Sequence, residues 1–522
     1  MHSPCSKTRI VFSACMLAFT GAMFGADDAA LSELAKLRAA LADQQQQMDR
    51  LRAVMEEQRK TIDGMLGAAQ SAPAKPAATD AAAPDPSPLS LQIGSSYFTP
   101  VGFMDFTGLF RSTVSGSGIG TNFGSIPYSR SATLPAVNGH LSETRLSMQN
   151  SRLGGRFDSK FKGVNVLAYF EMDFLGNNPG NVAVSTNSNT FRSRVYFVDL
   201  QKKNWEFLAG QTWSLITPNR KGISPIPGNL FYSHDTDVNY QAGLVWGRIP
   251  EIRAAYHSND GKFHLAIAAD QQEQYVGGSA GAGIVVPPSA LAGTEFASFN
   301  NGTQTVGTSN LATDIIVKAA WDPSAKFHAE VVGMETNFKG FNPANNSHYT
   351  KTGGGVSLNA NFEIFKGFRL LTNNYWSDGG GRYIFGQAPG AVLKANGDIG
   401  LIHSGSTVSG FEYTHKNTLI YGYYGGIYIG RYTVLDTNNS RVGYGYVGSA
   451  NSQNRVINEA TFGFNQTLWK DAKHGAVNFM GQYSYLTRSP WYAAPGTPGN
   501  AAQNQLYLNL RYTLPGAPPT IK

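Results

Sequence analysis

From Leu91 to Leu514 the sequence alternates polar and apolar side chains with a period of two, and no amphipathic helix follows to cover the strands this implies. Val164–Phe174 places Val164, Val166, Ala168, Phe170, Met172 and Phe174 on one face, against Asn165, Leu167, Tyr169, Glu171 and Asp173 on the other. Val356–Ile364 sets Val356, Leu358, Ala360, Phe362 and Ile364 against Ser357, Asn359, Asn361 and Glu363. The last such segment sets Leu506, Leu508, Leu510, Tyr512 and Leu514 against Tyr507, Asn509, Arg511 and Thr513. A strand with one polar face needs a core on one side, or lipid outside and water inside. The choice therefore lies between a β-sandwich and a closed barrel.

Connection lengths separate the two. Gln201–Asn204, Ser258–Lys262, Asp322–Lys326, Lys366–Gly367 and Trp469–Gly475 are brief. Ser115–His140, Leu175–Thr190, Gln272–Asn310, Asp378–Thr407 and Tyr432–Asn454 are long and rich in Gly, Ser and Asn. Outer-membrane barrels show this asymmetry, with tight periplasmic turns and large extracellular loops. Counting Val238–Trp246 and Ile249–His257 as successive strands gives seventeen and puts the 39-residue segment Gln272–Asn310 on the periplasmic side. Treating Trp213–Gly247 as one long third loop restores the order. The expectation is an all-β, 16-stranded antiparallel transmembrane barrel, with eighteen strands as the alternative. Even parity places both chain ends in the periplasm.

Composition agrees. With 58 Gly, 12% aromatic and 15% charged residues, the chain is too aromatic to be disordered and too Gly-rich for a helical protein. A mean hydropathy of −0.24 excludes a helical membrane bundle but not a barrel, whose strands meet lipid only at every second residue. Ile10–Phe24 is the one long apolar run, with Lys7 and Arg9 before it and Gly25–Ala26 after it. Residues 1–26 therefore read as a secretory signal peptide, an uncleaved anchor being the alternative. Both cysteines, Cys5 and Cys15, fall inside it, so the mature chain has no disulfide, Cys metal site or Cys nucleophile. Removing Lys7 and Arg9 takes the formal charge from +7 to +5 with no basic run, which does not point to nucleic acid.

Residues 27–66 carry a heptad. Leu34, Leu41, Met48, Met55 and Ile62 form one seam position, and Leu37, Gln44, Leu51, Gln58 and Met65 the other. This period predicts an N-terminal α-helical coiled coil and hence an oligomer, dimer or trimer. Residues 67–90 hold Pro73, Pro76, Pro84, Pro86 and Pro88 and read as an extended tether to the barrel of residues 91–522.

Sixteen strands enclose a lumen too wide for side chains to fill, so selectivity would come from inward residues and any loop folded inside. Alternation points Arg111, Arg145, Arg152, Arg156, Arg192 and Arg194 inward. They form either a basic wall that attracts anions or, with Glu171 and Asp173, a cross-strand ion-pair ladder. The third loop carries Trp213, Pro218, Arg220, Lys221, Pro225, Pro227, Asp235 and Asp237. Its prolines suit a rigid inward bend that sets Arg220 and Lys221 across an eyelet from the basic wall. The alternative is a solvent-exposed loop with no part in permeation. Trp205, Trp213, Trp376, Trp469, Trp491, Tyr421, Tyr423, Tyr424 and Tyr428 lie near strand ends and read as interfacial girdles. There is no Gly-x-Ser-x-Gly, Walker loop or His-Glu-x-x-His, and neither enzyme activity, metal nor cofactor is expected.

The stretch Gly210-Gln211-Thr212-Trp213-Ser214 before a long third loop resembles the DcaP-like trimeric outer-membrane porins. So do Gln149-Asn150-Ser151-Arg152-Leu153-Gly154 and the coiled coil ahead of sixteen strands. The resemblance implies a homotrimer in the outer membrane of a Gram-negative bacterium, with its coiled coil in the periplasm. It further implies channels for small anions, dicarboxylates especially. Partners would be other copies of the chain, outer-membrane lipids and small anionic solutes, with peptidoglycan a further candidate. The residues after Trp213 depart from the family's acidic and apolar run, and the chain continues past Leu514 to Lys522. The phosphate-selective porins share the same architecture. A non-conducting tether or adhesin is the reading from another class.

Overall fold

The computed structural model describes residues 87–129, 137–177, 189–226, 230–278, 281–291, 312–342 and 345–516, and eight residues between 42 and 60. It divides into two units, Met1–Ala83 and Pro84–Lys522. In the first, Ala42, Gln45, Gln46, Asp49, Arg50, Ala53, Glu56 and Lys60 are helical and exposed, and none belongs to the two seam rows of the heptad. The seam residues Leu34, Leu37, Leu41, Met48, Leu51, Met55 and Ile62 lie outside the described residues, as do the leader and the tether as far as residue 86.

The second unit is built on sixteen barrel strands. They are β1 (Ser96–Arg111), β2 (Glu143–Ser147 continued by Arg152–Phe161), β3 (Val164–Asp173), β4 (Arg192–Lys202), β5 (Trp205–Trp213), β6 (Arg248–His257), β7 (Phe263–Asp270) and β8 (Asp314–Ser324). Then come β9 (Phe327–Asn342), β10 (Ser347–Phe365), β11 (Phe368–Asp378), β12 (His403–His415), β13 (Thr418–Ile429), β14 (Asn454–Asp471), β15 (Gly475–Pro490) and β16 (Ala501–Thr513). Each pairs antiparallel with the next, and β16 closes on β1 in a register running from Phe103↔Thr513 to Arg111↔Gln505. A short strand, Leu91–Ile93, folds back on the start of β1. β2 is interrupted at Met148–Ser151, where the Asp105 amide donates to the Ser151 hydroxyl at 2.9 Å instead of to a backbone carbonyl.

Turns at one end are two to five residues long, at 162–163, 203–204, 258–262, 325–326, 366–367, 416–417 and 472–474. Lys162 (φ 46°) and Gly163 (φ 77°) both take the left-handed conformation that a two-residue hairpin needs to match strand twist. The opposite end carries the long connections, among them 112–142, 214–247, 271–313 and 430–453. One expectation is modified: the connection 343–346 at that end has only four residues, because β9 and β10 extend as a long hairpin. Val238–Trp246 is part of the third loop and forms no strand, as loop parity requires. Both barrel ends meet on the short-turn side, where the Ser87 hydroxyl donates to the Pro515 carbonyl at 3.2 Å.

Facing follows alternation. Val356, Leu358, Leu506, Leu508 and Leu510 are exposed on the outside, whereas Ser357, Asn359, Tyr507, Asn509 and Arg511 are buried within. A wall apolar outside and polar inside suits lipid around it and water within. Among the described residues no helix is long and apolar enough to cross a membrane. Leu508→Arg, at mid-strand on the outer face, should cost ~2–4 kcal/mol of folding free energy in a bilayer. Urea titration in liposomes measures it, and an unchanged stability would show that this face does not meet lipid.

Candidate functional site

The third loop leaves β5 after Trp213 and returns at Arg248, its base closed by the Ser214 amide donating to the Gly247 carbonyl at 2.9 Å. It does not stand in solvent. Lys318 on β8 donates to the Thr217 carbonyl at 2.7 Å, and the Gly222 amide donates to Asp322 at 2.9 Å beside the short-turn end of the barrel. The chain then crosses the lumen. Asn150 on the interrupted part of β2 donates to the Asp235 carbonyl at 3.0 Å, and Arg511 on β16 reaches the Asp235 carboxylate at 2.9 Å. Thr236 bonds Gln482 on β15, the Ala242 amide donates to Glu459 on β14 at 2.7 Å, and the Val245 amide donates to Asn373 on β11 at 3.1 Å. These anchors lie on opposite walls, so the loop spans the barrel.

The expected constriction residues divide accordingly. Trp213 and Asp237 are buried in the loop's docking surface, and Pro218 and Pro225 belong to its descending limb. Pro227 lies outside the described residues. Burial alone would raise the Asp235 carboxyl, but His234 and Arg511 outweigh it and hold it below its ordinary value. Asp237 has no such cation dominating, and burial pushes its carboxyl up. It accepts from the Asn239 amide at 2.8 Å and from the Tyr507 hydroxyl at 3.1 Å.

The arginines expected to line an open pore are mostly engaged. Arg192 pairs with Asp173 at 2.7 Å, and Arg194 pairs with Glu171 at 2.6 Å and Asp173 at 2.7 Å. The cross-strand ladder is therefore present. Arg111 is fully buried, donating to Glu143 at 3.0 Å and to the Gly118 and Gly120 carbonyls, so it braces the first loop and lines no open path. Arg194 is likewise buried. Arg145 reaches Glu143 at 2.8 Å and Arg156 reaches Asp158 at 2.6 Å, both keeping part of their surface open. Arg152 approaches Glu171 at 3.8 Å and lies over the Phe103 ring beside Arg511. Arg220 does not face this wall as expected: it descends to Glu412 on β12, bonding it at 2.7 Å, and stacks on Tyr232. Lys221, next to it, is exposed. Seven arginines (111, 145, 152, 156, 192, 194 and 220) thus share five carboxylates, Glu143, Asp158, Glu171, Asp173 and Glu412. The surplus among these is positive but local: on β4 to β9, Asp199, Glu206, Glu251, Asp270, Asp314 and Glu330 are buried, and apart from Arg194 the only buried Arg or Lys beside them are Arg253 and Lys318.

Trp205, Trp376, Trp469, Tyr424 and Tyr428 are exposed on the outer wall, as girdle residues should be. Trp213, Tyr421 and Tyr423 are not girdle residues: they are buried inside against the loop, and the Tyr423 hydroxyl accepts from the Tyr232 amide at 3.1 Å. Alternation already turns Tyr421 and Tyr423 inward, opposite to Tyr424, and so provided a signal. Tyr240, Glu459 and Arg511 also hold the loop without having been singled out. Among the described residues no cluster of His, Cys, Asp and Glu could hold a metal ion.

No protein-family model and no curated protein matches the sequence. Solved structures do. The outer-membrane channel DcaP of Acinetobacter baumannii superposes with a TM-score of 0.57 at 15% identity, covering 81% of this chain and 99% of that one. This chain has the fold of that channel. OmpT, an outer-membrane protein of Vibrio cholerae, covers 81% of this chain and 99% of its own at 9% identity, but its TM-score of 0.42 is too low to argue from. The DcaP likeness extends over the barrel and establishes its architecture; the roles of individual side chains rest on their own geometry.

Gly425 marks how closely the loop is docked: a Cβ there would run into the carbonyl oxygen of Ala242. Gly425→Ala should push the loop off β13 while leaving the barrel closed. Limited proteolysis would then cut between residues 214 and 247 faster than in the parent, with the heat-stable barrel band retained. An unchanged cleavage pattern would mean the loop is not held there.

Proposed function

We propose that this chain is a passive outer-membrane porin of the DcaP-like trimeric kind, passing small hydrophilic solutes with a preference for anions such as dicarboxylates. The observation that carries the reading is the third loop, which crosses a closed sixteen-stranded barrel beside a stretch of wall where Arg152, Arg192 and Arg194 share only Glu171 and Asp173. A loop pinned to opposite walls narrows the lumen, which is how a wide barrel becomes a sieve. Unpaired positive charge in a narrow, low-dielectric path raises the local concentration of anions. Residues 1–26 would direct export, and residues 27–66 would extend into the periplasm towards peptidoglycan.

A phosphate-selective channel would use the same surplus of arginine. A tether or adhesin would not need a loop bonded across its lumen. Planar-bilayer recording of the purified protein in a potassium chloride gradient should show steady conductance with an anion-selective reversal potential. Cation selectivity would remove the anion assignment, and no conductance would favour the tether.

The outer wall supports self-association. On β11 to β14, outward positions at mid-strand are polar or small: Thr372, Asn374, Thr407, Ser409, Gly426 and Asn458. They line or adjoin a groove of about 510 Å³ flanked by Trp376 and Tyr428. Thr407 donates to Asn374 at 2.9 Å, and the Thr372 and Ser409 hydroxyls lie 2.8 Å apart. Such groups are disfavoured against lipid chains and are better covered by another protein wall. Gly426→Trp, which fills the groove, should convert the detergent-solubilised oligomer to monomer in light scattering. A retained trimer would place the interface elsewhere.

A further inference from the structure

One cation near the third loop stands outside the pairing described above. Arg248 opens β6 directly opposite Trp213, at the point where the loop returns to the wall. Its guanidinium lies 5.7 Å from the Trp213 ring centroid and 5.4 Å from that of Trp246. Among the described residues it forms no hydrogen bond through its side chain and no ion pair, and its Nη1 is buried without a partner. The other arginines of the neighbouring wall, Arg152, Arg192 and Arg194, each have a carboxylate.

The surroundings do not supply the missing counter-charge. The groups that act most strongly on Arg248 by charge are Arg194, Tyr240, Arg192 and Asp173. Both Asp173 oxygens are already taken, one by Arg192 at 3.1 Å and the other by Arg192 and Arg194 at 2.7 Å each. Tyr240, in the loop, is fully buried at φ 77°, a left-handed conformation unusual for a bulky residue. Burial alone would raise its phenol, but the guanidiniums of Arg194, Arg248 and Arg152 outweigh it and hold the phenol below its ordinary value. The potential at this point is therefore positive. A buried guanidinium nitrogen without an acceptor is costly. Arg111, Arg152, Arg156 and Arg253 also keep a bare buried Nε, but each has a carboxylate partner and Arg248 has none among the described residues.

We propose that Arg248, held on the faces of Trp213 and Trp246, is the residue that contacts the permeating anion, its guanidinium receiving an oxyanion such as a carboxylate as the counter-charge it lacks. Stacking on two indoles fixes the plane of the fork without consuming its donors, which leaves them for two parallel N–H···O bonds. Arg192 and Arg194, tied to Asp173 and Glu171, then build the wall while Arg248 selects. The inference rests on the channel reading.

The test uses the full-length protein in planar bilayers, comparing the parent with Arg248→Gln and Arg248→Lys in a potassium chloride gradient. Arg248→Gln should lower the chloride-over-potassium permeability ratio several-fold, with Arg248→Lys between it and the parent because it keeps charge but not the flat fork. An anion-selective parent with an unchanged Arg248→Gln would overturn this assignment and leave the channel reading standing. A parent without anion selectivity would overturn both. A second measurement needs no variant. Sodium acetate titrated into the parent in detergent at constant ionic strength should change tryptophan fluorescence saturably, because Trp213 and Trp246 flank the site. A linear or absent response would equally overturn the assignment.

Discussion

A sheet edge exposes unpaired amides and carbonyls, and hydrocarbon offers them no partner, so a sheet in lipid must close on itself. Here closure is made by β16 against β1 over nine register pairs, from Phe103↔Thr513 to Arg111↔Gln505. The other features follow from that seam. Closure gives every strand an inside and an outside, which turns a period of two into a polar lumen and an apolar wall. It also creates the enclosed space that the third loop bridges. Even where β2 breaks, the Ser151 hydroxyl takes over a backbone partner, so the wall stays satisfied.

Inside, the dominant problem is charge. Guanidiniums buried away from water need acceptors, and the lumen supplies them from neighbouring strands and from the loops. Arg194 bridges Glu171 and Asp173 while donating to the Tyr240 hydroxyl at 3.0 Å, coupling the wall to the loop through one side chain. Arg511 does the same on the far side, joined to Asp105 at 2.8 Å and to Asp235. Paired ions of this kind hold geometry more than they add stability, since desolvation offsets most of their attraction. Their work here is to fix where the loop lies.

The barrel was legible because lipid and water impose a strict alternation, and it showed plainly in β3, β10 and β16. Loop parity was enough to make residues 214–247 a single connection. The inward direction of Arg192 and Arg194 also followed from alternation. What did not follow was the partner each arginine takes. Arg220 meets Glu412 across 192 positions of sequence, a distance that no local pattern encodes. The burial of Arg111 depended on how the first loop folds over it, and the inward placement of Trp213 on how the third loop returns. Arg248 could not be distinguished from an ordinary strand-end cation, because its significance lies in the absence of a neighbour. The heptad in residues 27–66 gave an expectation whose seam lies outside the described part of the structure.

The junction of Ser87 with Pro515 has a mechanical consequence. A pull applied at Ser87 would first meet the short strand Leu91–Ile93 folded back on β1, and then the pairs of β1 with β2, from Tyr97↔Asp158 to Phe103↔Arg152. The seam with β16 begins only at Phe103, so it is loaded after those pairs, and then in shear along β1. The bonds that seal the wall are thus shielded by seven β1–β2 pairs from a pull at the barrel's first residues.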